Sequence, residues 1–158
     1  MAFTDVTDGS RVILEGNVRQ NVVVNAAVKP GDLIGLNASS QWVEADGNAT
    51  LNVKAKLIAG EAGASGATIT AYKSALIGGF SGAAKGDSVW LSDTAGDYSA
   101  TKSTTFGQKV GVALTATEAY IDPEGFSPNE VEVANEKRAI VSASKTLAIV
   151  DCGVVQVV

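Results

Sequence analysis

The sequence predicts an all-β protein of short antiparallel strands, on three observations. The apolar share is 46% and is dominated by Ala and Val, with 17 glycines and 6% aromatics; small and β-branched residues with frequent glycines favour short strands and tight turns over long packed helices. The apolar runs are β-branched and lack a helical period. A turn-and-strand unit is also written twice: Lys29-Pro30-Gly31-Asp32 before "LIGL", and Lys85-Gly86-Asp87 before "SVWL". At 158 residues the chain suits one domain, or one domain with a small extension.

Residues 1–25 read as an N-terminal arm and first strand, with "RVILEG" and "NVVVNAAV" as β-branched runs. Residues 26–122 form the main β domain. After the first turn, "LIGLN" and "QWVEADG" pair as a hairpin. "LNVKAKLIAG" alternates, with Leu51, Val53, Ala55 and Leu57 on one face and Asn52, Lys54 and Lys56 on the other, and is the clearest amphipathic strand in the chain. "GEAGASGA" is a flexible loop that lacks the spacing of a phosphate cradle. "TITAYKSALIGGF" and "SVWLSD" are strands, "TAGDYSATKSTTFG" is a polar connection, and "QKVGVALTATEAYID" completes the domain. Residues 123–138 read as a linker or short helix, with Ser127 as N-cap, Pro128 at the first helical position and Glu130 at capping-box spacing. Residues 139–158 read as a C-terminal β segment or the start of a further domain.

In the repeated turn, glycine supplies a positive φ and aspartate can bond back to backbone N–H groups. Gly31, Asp32, Gly86 and Asp87 are therefore read as structural turn residues, and the repeat marks architecture rather than chemistry.

The chain has no histidine, which removes the commonest general base and most zinc ligand sets. The single cysteine, Cys152, has no basic neighbour in sequence to activate it. The pairs Glu44/Asp46, Asp93/Asp97 and Asp122/Glu124 sit at turns, and "DTAGD" lacks the closing Glu of a calcium loop. No catalytic, metal or cofactor residue is assigned, and the chain is read as non-enzymatic. The net charge of −5 argues against a nucleic-acid partner, and no apolar run is long enough for a membrane helix.

The order of "KPGDLIGLN", "AGEAGASG", "KGDSVWLSDTAGDYSAT" and "VGVALTATEAYID" resembles the small capsid decoration, or cement, proteins of tailed bacteriophages. The similarity covers roughly residues 26–122 and rests on turns and strands. It implies a barrel- or tulip-like domain on the outside of a phage head, made in the host cytoplasm, bound to the major capsid protein and trimeric. By the same analogy the arm up to about Arg19, with Phe3, Val12, Ile13 and Leu14, would add a strand to capsid protein. A carbohydrate- or host-surface-binding module of a head or tail fibre is the alternative, with a shallow site drawn from Trp42, Trp90, Tyr72 or Tyr98.

Overall fold

Each of the two Gly-Asp units forms the same four-residue turn. Asp32 N–H donates to the Lys29 carbonyl at 3.1 Å and Asp87 N–H to the Ala84 carbonyl at 3.0 Å. The third residue is left-handed in both, Gly31 at φ 85° and Gly86 at φ 96°, a conformation that a Cβ would strain. Each carboxylate then reaches back three residues: Asp32 accepts from Lys29 N–H at 2.6 Å and Asp87 from Ala84 N–H at 2.8 Å. The structure, a computed structural model, describes residues 3, 10–48 and 52–126. All of these belong to the first of two compact units, Met1–Phe126.

Among the described residues nine strands form one antiparallel sheet that curls as a half-barrel, and there is no helix. They are β1 (Val12–Val23), β2 (Leu33–Leu36), β3 (Trp42–Glu44), β4 (Leu57–Ala59), β5 (Thr68–Gly78), β6 (Ser88–Leu91), β7 (Tyr98–Ser99), β8 (Lys109–Ala113) and β9 (Glu118–Ile121). Along the main path the order is β3-β2-β4-β5-β9-β8-β6-β7, and β1 pairs with β5. That order is a palindrome of two four-strand units, β2–β5 and β6–β9, joined through β5 and β9. The repeated turns occupy matching places in the two units. Gly31 N–H donates to the Ala59 carbonyl and Ala59 N–H to the Asp32 carbonyl, at 2.7 and 2.8 Å; Gly86 and Ala113, then Ala113 and Asp87, repeat this at 2.8 and 2.9 Å. The tryptophans are not equivalent, since Trp42 lies in β3 and Trp90 in β6.

Two apolar clusters fill the unit. Leu33 and Ile58 belong to the larger, and Ile34, Leu57 and Ala59 to the smaller. β2 and β4 are thus covered on both faces, which is why their sequences run apolar without alternation. The β1–β5 ribbon passes from one cluster to the other: Val22, Ile69 and Ala71 pack in the smaller, while Ile13, Ala75 and Ile77 meet the larger. The changeover falls between the pairs Asn17↔Ser74 and Arg19↔Tyr72. Val18, at φ 53°, lies there. A β-branched residue with positive φ is strained, and here the strain coincides with the ribbon turning over.

One expectation is corrected and two are made more specific. Residues 12–23 form the expected first strand, and it pairs antiparallel along β5 of the same chain, a strand of matching length. "LNVKAKLIAG" pairs as a strand only at Leu57–Ala59, with an isolated bridge at Val53. At Ala55 the Gln108 side chain takes the place of a neighbouring strand, its Oε1 accepting Ala55 N–H at 2.8 Å and its Nε2 donating to the Ala55 carbonyl at 2.9 Å. Residues 123–126 form a turn, with Gly125 N–H donating to Asp122 Oδ1 at 2.9 Å; the rest of the expected linker or helix, the C-terminal β segment and Cys152 lie outside the described residues.

The twin turns predict unequal costs. Asp87→Ala is expected to destabilise by about 0.5–2 kcal/mol, the scale of a lost cap. Asp32→Ala is expected to cost about 3–5 kcal/mol, since it also takes from a buried arginine the more deeply buried of its two carboxylates. Urea unfolding of both variants checks this, and equal midpoint shifts would contradict it.

Candidate functional site

Arg11, immediately before β1, is 5% exposed and its guanidinium ties the two units together. Nη1 donates to Asp32 Oδ1 at 2.8 Å and to the Gly96 carbonyl at 2.7 Å, and Nη2 pairs with Asp97. The cation also lies 5.6 Å from the Tyr98 ring centroid, while Tyr98 Oη donates to the Gly31 carbonyl at 2.6 Å. Burial, outweighing the nearby arginine, raises the Tyr98 phenol well above its ordinary range, so it stays a neutral donor. Asp32 is 1% exposed, buried between the turn it caps and the cation. The first Gly-Asp turn therefore does more than the second: it anchors the fold's buried charge.

Three of the carboxylates considered for catalysis have structural partners. Asp46 accepts from Asn48 N–H and Nδ2 at 2.8 and 2.9 Å. Glu124 meets Lys56 at 3.4 Å, and Asp97 is bound to Arg11. Among the described residues no three acidic, histidine or cysteine side chains converge as a metal site. On the surface Glu61 accepts Thr70 N–H at 2.6 Å, and this bond holds its carboxyl below the ordinary value.

Of the residues expected to form a docking arm, Phe3 is 4% exposed, with its ring 5.3 Å from Phe80 in an edge-on contact. Ile13 packs on the larger cluster. Val12 and Leu14 project outward, and with Val18 and Val23 they place on β1 four of the six exposed large apolar side chains among the described residues, at 50–68% exposure. β5 occupies one edge of β1, and no described strand lies along the other. A bulge between Ile13 and Glu15, and the turnover at Val18, divide that edge into short stretches.

The four aromatics expected to line a glycan site are dispersed in role. Tyr98 is fully buried, which rules it out as a surface platform. Trp42 packs against the smaller cluster. A Cβ at Gly16 or Gly60 would collide with the Tyr72 ring, at 2.5 and 2.8 Å, so that ring lies over two bare glycines. Trp90 is half-buried beneath Lys102, whose Nζ is 5.6 Å from the ring centroid.

Sequence reasoning missed the roles of Arg11 and Gln108, and it took Tyr98 for a surface aromatic when it is a buried donor. Their partners lie 20 to 86 positions away in the chain, apart from the Gln108 bond to the Pro123 carbonyl. The one local signal was a charged residue set directly before an apolar strand. No family model, curated protein or solved structure matches the chain.

Proposed function

We propose that the chain is a non-enzymatic structural protein of a phage virion, binding the outside of the capsid and stabilising the head. The observation that supports this reading is the outer edge of β1, which couples unpaired strand backbone to Val12, Leu14, Val18 and Val23 at 50–68% exposure. Exposed strand edges are templates for another chain, through main-chain hydrogen bonds and pockets for alternate side chains. The resemblance of the turns and strands to decoration proteins supplies the partner, the major capsid protein. Since β1 is already paired on one side, the contact is made by a capsid segment laid along its other edge. A homotrimer presenting three such edges on a repeating lattice would turn modest contacts into high avidity.

Co-sedimentation of the purified protein with undecorated phage heads, across a salt series, tests the reading. Saturable binding at a fixed ratio to capsid protein is expected. Val12→Lys with Leu14→Lys is expected to cut occupancy at least tenfold, with an unchanged melting curve because both side chains are exposed. Undiminished occupancy would remove β1 from the contact. No binding at any salt would overturn the proposal.

A further inference from the structure

Trp90 of β6 stands directly opposite Ser99 of β7, so the indole and the hydroxyl share a face of the ladder. Ser99 is also a wall of an open cleft of about 390 Å³ between the 91–94 and 99–104 segments. Ser92, Asp93, Thr101, Lys102 and Ser103 line it too, and Lys102 thereby joins the cleft to the indole it covers. The volume falls at the small end of the range for ligand clefts, about 300–1,000 Å³.

The bonding pattern of this wall is asymmetric. Ser92 Oγ accepts Thr94 N–H at 3.0 Å and Ser99 Oγ accepts Thr101 N–H at 3.1 Å. Each serine keeps its own hydroxyl proton for donation. Asp93, on the exposed rim, can only accept when ionised, and Lys102 can only donate. A compact ligand carrying several hydroxyls, each both donor and acceptor, meets all of these groups at once. We infer that this cleft binds one sugar unit of a glycan, flanked by the Trp90–Lys102 pair. A phosphate polymer fits worse, because Asp93 would meet it with like charge and the chain carries a net −5.

This inference is independent of the capsid reading, which concerns β1. Saturation-transfer NMR on the full chain with glucose, galactose and N-acetylglucosamine tests it. At least one sugar is expected to bind saturably, with Kd on the order of 1 mM. Asp93→Ala, at an exposed position, is expected to weaken that binding at least tenfold and leave the melting curve unchanged, and Trp90→Phe to weaken it while retaining the fold. Three results would each overturn the site: no transfer from any of the three sugars, sugar binding unaltered in Asp93→Ala, or displacement of bound sugar by a thymidine oligonucleotide. Head co-sedimentation of the same Asp93→Ala protein is expected to be unaffected, so the two readings fail separately.

Discussion

Arg11→Met is expected to destabilise the protein by about 3–5 kcal/mol, the cost of stripping one partner from a buried ion pair. Methionine retains much of the apolar stem and removes the charge. Asp32, 1% exposed, then loses its cation while still accepting the Lys29 N–H of its own turn. The Gly96 carbonyl loses a donor at 2.7 Å and Asp97 loses its cation. Against a typical total of about 5–15 kcal/mol, the loss is a large part of the stability. The double variant Arg11→Met with Asp32→Leu is expected to recover part of it, since apolar groups in place of a buried pair are often neutral or better. Urea unfolding of wild type, both single variants and the double variant measures the coupling. Additive losses would show that arginine and aspartate stabilise the fold independently, contrary to the geometry of the cluster.

The twin turns were legible because everything that makes them is local. A glycine needing positive φ and an aspartate capping an N–H three positions back are both visible in four letters. The palindromic order they announce was not legible, since strand order depends on partners that a strand does not encode. The same gap explains β1: "RVILEG" and "NVVVNAAV" were readable as extended, but nothing in them names β5 as the neighbour. "LNVKAKLIAG" failed differently. Its alternation is real in burial, with Val53, Ala55 and Leu57 buried and Lys54 and Lys56 half-buried. Yet part of its backbone is satisfied by the Gln108 amide, and a side chain standing in for a strand leaves no periodic trace. The four aromatics considered for a glycan site were named by residue type alone, and only the register that sets Trp90 against Ser99 relates one of them to a cleft.

Deleting Met1–Arg19 is expected to prevent formation of the native fold, rather than leave a folded domain without its docking arm. The deletion removes the Phe3 ring from its contact with Phe80, and loss of a buried Phe side chain alone costs about 3–5 kcal/mol. It removes Arg11, at a similar cost. It also takes Val12–Arg19 from β1 and so exposes the β5 backbone from Tyr72 to Gly78, an open edge that invites aggregation. Together the first two losses match the stability of a typical domain. Circular dichroism and size-exclusion chromatography of the truncated chain would show a non-cooperative or aggregated species. Loss of head binding by that species would report unfolding and say nothing of contact, which is why the lysine substitutions at Val12 and Leu14 are the proper probe of the capsid edge. A truncated chain that melted cooperatively at the wild-type temperature would mean that β1 is an appendage. The strand would then be available for exchange with a partner, as a docking arm requires.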